Sequence, residues 1–408
     1  MGLSQLRRPC AGDRQYGQSG LPRYLARGWC IGDGPSVSTG VGETAGYTVR
    51  THVWPLDRVH GLCSLADAVE FGRAAGPGGA SIAWLDTETT GLAGGTGTYV
   101  FLIGVATVQA GCIALTQYFL RDLAAEPDML EVVGDHLRRF DALVTFNGTR
   151  FDLPLLQTRF LLCRMRAAIE TGSHLDVMNL ARRLWHRRLG GYSMALLEQM
   201  ILRVERAGDV PGWMIPSLYV QFLHTSDDDL LEPVFTHNAQ DILSLVALHG
   251  VAGDVLAHPE RVPVVVDWFG LGRLLDARGR TEPAAGCYRL ALEDERDHGA
   301  RRRAVIALAR YYRRTGQLEP LLALWGHEVE TGVLARWQAL ERLAMVWEWE
   351  LHDSRRALAH TDQALVAAAG NPPDVHQRLV YRRERLLRKV PAARALTHIR
   401  VAPDVTGL

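Results

Sequence analysis

Ile82-Ala83-Trp84-Leu85-Asp86-Thr87-Glu88-Thr89-Thr90-Gly91 is the stretch that decides how this chain folds. Four apolar residues in a row suit a buried strand. The run ends in two carboxylates, Asp86 and Glu88, after which Thr89, Thr90 and Gly91 are expected to break the strand. In extended backbone, residues i and i+2 project to the same side, so Asp86 and Glu88 aim at one place. Two carboxylates held that close repel each other, and desolvation sharpens the repulsion. A cation relieves it, and hard carboxylate oxygens favour Mg2+ or Mn2+. A bare D-x-E is more often a strand end with two solvated acids, so the weight falls on its surroundings.

Downstream, the loop Gly91 to Thr98 carries four glycines that resemble a phosphate cradle, but no helix and no Walker lysine follow, which favours a hairpin connection. Tyr99–Val108 and Ile113–Leu120 read as β-strands joined at Ala110-Gly111. Glu126–Phe140 has helical spacing, with Met129, Leu130, Val133 and Leu137 on one face. Ala142–Phe146 is a further buried strand and Asp152–Cys163 a helix. A brief extended piece at Leu175–Val177 precedes a basic helix over Asn179–Arg188 and a helix capped by Ser193 that runs to Leu202. Pro211–Pro216 reads as a loop, and a long helix follows from Asp229 to about Leu256. Upstream, Tyr47–Val53 suits a strand and Leu65–Ala75 a helix. Strands interleaved with helices, opening on a three-strand meander, predict an α/β domain over residues 46–257.

Two later segments bring acids toward the same place. Val144-Thr-Phe-Asn-Gly-Thr-Arg-Phe-Asp152 is a strand end, an Asn-Gly turn and an acid at a helix start, where Asp152 also suits an N-cap. In His237-Asn-Ala-Gln-Asp241 the first and last residues share a helix face; in isolation that is an ordinary surface His–Asp pair. Asp176, in His174-Leu-Asp176, is an additional acid read as structural.

Taken together, D-T-E-T-T-G, F-N-G-x-x-F-D and H-N-x-x-D, in this order, resemble the three motifs of the DEDD superfamily of 3′–5′ exonucleases, built on the ribonuclease-H-like fold. More narrowly, Leu85–Val105 and Pro211–Tyr219 resemble bacterial ribonuclease-H-like proteins that often carry helical repeats. The resemblance covers about Thr51 to Val251 and implies a mixed central sheet flanked by helices. It implies that Asp86, Glu88 and Asp241 bind one Mg2+ or Mn2+ ion, that Asp86 bridges to a second, and that Asp152 holds the second. Two ions would clamp a scissile phosphate and activate a water, with His237 orienting or deprotonating that water. One departure stands out. His237 lies four residues before Asp241, the spacing at which the family usually has Tyr. Asn147 and Phe151 are candidate contacts to a terminal nucleotide, Phe151 by stacking; turn-making and core packing explain them equally well. Thr89 and Thr90 are placed for similar contacts.

Beyond a linker at His258–Pro263 the strand signal stops. Leu271-Gly-Arg-Leu-Leu-Asp-Ala-Arg-Gly279 aligns with Leu308-Ala-Arg-Tyr-Tyr-Arg-Arg-Thr-Gly316, and a weaker copy begins at Leu343, at offsets of 37 and 35 residues. With a second helix in each copy, this resembles tetratricopeptide hairpins over residues 264–392. The last helix, Val375–Lys389, carries Arg378, Arg382, Arg383, Arg385 and Arg388, read as a solvated capping face rather than a nucleic-acid patch.

The 408 residues suggest two or three domains, and 47% hydrophobic with 22% charged is an ordinary globular composition. Net charge is zero, so no global positive field draws in nucleic acid. Lys389 is the single lysine. Six scattered cysteines form no C-x-x-C, and His60-x-x-Cys63 has no second pair, so no zinc ribbon or disulfide framework is indicated. A reduced cytoplasmic setting is expected. No apolar run is expected to reach the roughly 18 residues of a membrane span, and the first residues lack a signal-peptide core. Residues 1–45 read as poorly ordered and 393–408 as a flexible tail. The function expected is a metal-dependent nuclease acting on single-stranded DNA or RNA, with repeats that bind a protein partner or guide substrate. The alternative is a non-catalytic adaptor that keeps the fold.

Overall fold

The computed structural model describes residues 42–44, 46–76, 81–91, 96–165, 173–261 and 265–390. The expectations for 1–41, for most of the glycine loop after Gly91 and for the tail at 393–408 lie outside the described residues. The chain divides into two compact units, 1–278 and 279–408.

The first unit opens with β1 (Gly42–Thr44), β2 (Tyr47–Pro55), a small ribbon of β3 (Val59–His60) and β4 (Cys63–Ser64), and α1 (Leu65–Ala75). The deciding stretch forms β5 (Ile82–Thr89). The strand runs one residue further than expected. It carries both acids through to Thr89, with a bulge between Glu88 and Thr89, because β-branched threonines suit a pleated backbone as well as the apolar residues before them do. β6 (Val100–Gln109) and β7 (Cys112–Leu120) follow, joined by Ala110 and Gly111 at φ 47° and 78°, the left-handed pair of a tight hairpin. Next come α2 (Glu126–Leu137), β8 (Ala142–Thr145), α3 (Asp152–Leu162) and β9 (Ser173–Asp176). The basic helix expected over 179–188 is two pieces, α4 (Val177–Leu184) and α5 (His186–Leu189), parted at the buried Trp185. α6 (Met194–Leu197) is capped by Ser193, whose Oγ accepts from Leu196 N, and widens into a π-turn over Glu198–Leu202. α7 (Ile215–Thr225), α8 (Glu232–Ala257) and α9 (Trp268–Ala277) complete the unit; the expected loop at Pro211–Pro216 tightens into a 3-10 turn that feeds α7.

The sheet order is β1-β2-β7-β6-β5-β8-β9. Pairing is antiparallel through β5 and parallel across β5, β8 and β9, so the sheet is mixed and β5 is the strand where its character changes. Helices cover both faces. On one, Leu85, Ile103 and Val105 pack with Met129, Leu130, Leu156, Phe160 and Tyr219 from α2, α3 and α7. On the other lies α8, where Trp84 Nε1 donates to His249 Nδ1 at 3.2 Å. Close approach of α8 to α1 requires glycine: a Cβ on Gly253 would stand 2.0 Å from the Phe71 carbonyl oxygen. The expectation that no run approaches a membrane span needs correcting. Residues 228–257 are long and apolar enough by composition, but 78% of the 18-residue window that passes is buried inside the unit, as in the core helix of a folded domain.

The second unit is helical: α10 (Thr281–Glu293), α11 (His298–Arg314), α12 (Leu318–Thr331), α13 (Arg336–Trp349), α14 (Ser354–Ala367) and α15 (Pro373–Lys389). The aligned leucines Leu308 and Leu343 are both buried. Gly279 and Gly316 take φ of 76° and 69° where helices end, and His352 holds a left-handed φ of 53° after α13. α15 is largely exposed, Arg378, Arg383 and Arg388 included, as a capping face should be, and most of its arginines are ion-paired. Arg378 pairs with Glu341 at 3.0 Å, Arg383 with Asp362 at 2.7 Å, and Arg382, Arg385 and Lys389 converge on Glu348 at 2.8, 2.6 and 2.9 Å. Glu348 is buried, and a buried carboxylate must be paired. That demand recruits the cations from α15.

Candidate metal centre

The parallel strands β5 and β8 run side by side, and β5 carries its acids just past the end of β8 at Thr145; ligands of α/β sheets gather outside such strand ends. Asp86 and Glu88 lie on the face of β5 that looks toward α8, because Asp86 sits opposite Gly104 on β6 and Gly104 opposite Gln117 on β7. Gly104 leaves room for Asn238 of α8; a Cβ there would stand 2.4 Å from Asn238 Oδ1. The space lets Asn238 Nδ2 donate to Asp86 Oδ2 at 2.9 Å, while Gln117 Nε2 donates to Asn238 Oδ1 at 2.9 Å. A buried amide pair thereby orients Asp86.

Asp152 reaches the cluster from the start of α3. It does not cap that helix: Phe151 holds the cap position without a side-chain bond, and Asp152 is the first helical residue. Its Oδ1 accepts from Thr87 Oγ1 at 2.5 Å. The turn before it is held by Asp176, which accepts from Asn147 N at 2.8 Å, Thr149 N at 3.2 Å and Met178 N at 3.1 Å. The structural reading of Asp176 therefore holds, and it also explains how Asn147 keeps a left-handed φ of 66°.

His237 and Asp241 lie one turn apart on α8, with His237 Nε2 3.6 Å from Asp241 Oδ2. One ligand atom each from Glu88, His237 and Asp241 lies within 4.8 Å of the others. The electrostatics agree with the crowding. Burial, then the carboxylates of Asp241, Glu88 and Asp152, push the Asp86 carboxyl well above the usual range. Burial, Asp241, Asp152 and Asp209 do the same to Glu88 against the pull of Arg206. Burial raises Asp152 to about 6, tempered by the Thr87 bond. Such a donor set, oxygen-rich and mutually repelling, fits one or more divalent cations.

Three residues escaped the sequence reading as members of this site. Arg206 donates through Nε and Nη2 to Glu198 at 2.9 and 2.6 Å, through Nη1 to Asp209 at 2.9 Å, and through Nη2 to Asp241 Oδ1. Burial alone would weaken its hold on the proton, but the Glu198 and Asp241 carboxylates outweigh burial and raise it. Asp209 lies 2.9 Å, through both oxygens, from His237 Nδ1. Glu198 is buried and accepts from Ser244, which in turn meets His60 Nε2 at 2.9 Å. His60 of the H-x-x-C motif is thus spent on this chain of bonds, while Cys63 is buried with its thiol pushed up to about 12. The one available signal was Glu198, an acid at a position that the pattern of its helix buries.

Of the candidate nucleotide contacts, Asn147 lies at an opening beside Asp86 and Asp241. A cleft of about 500 Å3 is lined by Asp86, Phe146, Asn147, Met178, Tyr192 and Asp241 among others. Asn147 Oδ1 is buried without a partner among the described residues. Phe151 is 54% exposed beside Asp152, which removes core packing as its explanation. Thr89 Oγ1 donates to Gly91 O and Thr90 Oγ1 accepts from Tyr99 N, both at 2.9 Å, so both hydroxyls first serve to shape the loop.

Against known proteins, residues 83–252 match the family model described as RNase_H superfamily, and residues 266–372 the one described as tetratrico peptide repeat. The uncharacterized protein YprB of Bacillus subtilis (strain 168) is 29% identical over 359 residues, covering 84% of this chain and 86% of its own length. Among solved structures, PcrH from Pseudomonas aeruginosa aligns with 29% of this chain and 89% of its own, at 17% identity and TM-score 0.24. The family B DNA polymerase from the hyperthermophilic archaeon Pyrobaculum calidifontis aligns with 58% of this chain and 29% of its own, at 13% identity and TM-score 0.38. Likenesses that loose carry nothing for fold or function.

Proposed function

From a ribonuclease H superfamily domain followed by tetratricopeptide repeats, we propose a metal-dependent nuclease, acting as a 3′–5′ exonuclease on single-stranded DNA or RNA. The observation that carries the reading is the convergence of Asp86, Glu88, Asp152 and Asp241 beside an open cleft, three of them with carboxyls pushed up by burial and by one another. Asp86, Glu88, Asp152 and Asp241 would hold the ions, Mg2+ or Mn2+, two in number by the family resemblance. Divalent ions bound there supply charge to a phosphodiester and acidity to a water. The chain's own groups do the remaining work. Asn238 and Gln117 keep Asp86 aimed at the opening. Phe151, exposed next to Asp152, would offer a face on which a terminal base stacks, and Asn147 Oδ1 offers an acceptor to a base or sugar edge. Thr89 and Thr90 shape the loop beside them. The repeats are the proposed seat of a protein partner.

The test is degradation of end-labelled single-stranded DNA and RNA by the purified full chain in Mg2+, Mn2+ or EDTA. A metal-dependent ladder from the 3′ end is expected, lost by at least 100-fold in Asp86→Ala and Asp241→Ala with far-UV circular dichroism unchanged, as for groups that hold a catalytic ion. Full activity in either variant, or activity in EDTA, would refute the assignment. Binding of either polymer without cleavage would favour the adaptor.

A further inference from the structure

His237 occupies the place where the resemblance puts a proton acceptor for the attacking water, but its surroundings are those of a ligand. Its Nδ1 faces both oxygens of Asp209 at 2.9 Å. A carboxylate only accepts, so Nδ1 donates to Asp209, which leaves Nε2 as the nitrogen turned toward Asp241. Nε2 and Asp241 Oδ2 are 3.6 Å apart, too far for a hydrogen bond. Two donors each about 2.1 Å from a shared divalent ion stand about 3 to 3.5 Å apart. The gap is close to that separation, and Glu88 closes the third side within 4.8 Å.

The atoms turned away from the gap are fixed as well. Asp241 Oδ1 accepts from Arg206, which leaves Oδ2 facing Nε2. The same Arg206 holds Asp209 at 2.9 Å and is itself anchored by two bonds to the buried Glu198. A histidine whose far nitrogen donates to a carboxylate, beside a carboxylate whose far oxygen is hydrogen-bonded, is the arrangement that orients metal ligands and sets their tautomer. None of Arg206, Asp209 and Glu198 belongs to the three ligand-bearing residues, so their placement is independent of the crowding of acids.

We infer that His237 is a metal ligand through Nε2, forming with Glu88 and Asp241 a mixed nitrogen and oxygen site that favours a first-row transition ion over Mg2+, with Asp209 and Arg206 as its positioning residues. The inference rests on the metal-dependent reading proposed above and names the ion class of that site. An imidazole in the set is what shifts preference from Mg2+, which seeks oxygen.

Mn2+ is the probe, added to the metal-stripped full chain. Electron spin echo spectroscopy of bound Mn2+ is expected to show modulation from a coordinated 14N nucleus. Calorimetric titration is expected to show Mn2+ affinity falling about 10- to 100-fold in Asp209→Asn, with Mg2+ affinity falling less. The amide of that variant can donate to Nδ1, which moves the ring proton to Nε2 and removes the lone pair from the site. His237→Gln should abolish the 14N signal. Bound Mn2+ without 14N modulation in the unaltered protein would overturn the inference while leaving metal dependence intact, as would Mn2+ affinity unchanged in Asp209→Asn and His237→Gln. Failure of the unaltered chain to bind Mn2+ at all would overturn this inference and the parent reading together. The spectroscopic measurement needs no variant, so it stands even where a substitution fails to fold.

Discussion

Asp152 carries, at the scale of one side chain, the cost of a metal site to the fold that holds it. Its carboxyl is raised to about 6, chiefly by burial, against about 3.9 in an unfolded chain. A carboxylate with a raised folded value stabilises the fold below its unfolded value and loses that stabilisation as pH climbs through the folded one. Holding it ionised at pH 8 costs the metal-free protein on the order of 3 kcal/mol. The whole-protein profile does not isolate this, because burial lowers His60 to about 3 and His249 to about 4. Those histidines gain stability over part of the same range. The comparison with Asp152→Asn does isolate it. In EDTA the variant is expected to melt above the unaltered protein at pH 8 by up to about 3 kcal/mol of stability, a gap that closes toward pH 4. Saturating Mn2+ should erase or invert the gap, since the ion stabilises only the chain that retains the ligand. A gap of equal size at both pH values in EDTA would assign it to packing instead.

The elements position the site through one missing side chain. β6 lies between the strand of acids and the strand of Gln117, and α8 crosses it at Gly104, where Asn238 comes close enough to touch Asp86. An alanine there has no room: its Cβ would fall 2.4 Å from Asn238 Oδ1. Gly104→Ala is expected to destabilise the fold by about 1–3 kcal/mol through overpacking. It should also weaken divalent binding several-fold, because Asp86 loses the donor that aims it. Denaturant unfolding and metal titration of the same sample separate the two effects. Metal affinity left unchanged would mean that Asp86 is held in place without Asn238. The bulge at Glu88/Thr89 belongs to the same scale. Bulges re-aim side chains at strand ends, and this one follows the second acid directly.

Across the whole molecule, the candidate centre lies in the first unit, between the end of β5, the start of α3 and the N-terminal half of α8. Hydrogen exchange with and without Mn2+ is expected to show added protection in those three segments and little change over 279–390. An equal rise in the repeats would show that metal binding is felt throughout the chain. Legibility followed the range over which each pattern acts. By itself the sequence determined the order of the main strands and helices and the helical repeats, because apolar periodicity reports on neighbours within a turn or two of the same element; that Asp86, Glu88, Asp152, His237 and Asp241 share one site was expected from the resemblance of three motifs, not from any period. The sequence placed the break of β5 one residue early, at Thr89, because a threonine suits two local states and its surroundings choose between them. Only the tertiary structure decided that Arg206, Asp209 and Glu198 stand behind the candidate ligands, that Asn238 touches Asp86, and that His237 presents Nε2 to Asp241 and Glu88. Those contacts join residues up to 152 positions apart, through loops and side chains that carry no period. Burial, which forbids an unpaired charge or amide, selects them once the chain has closed.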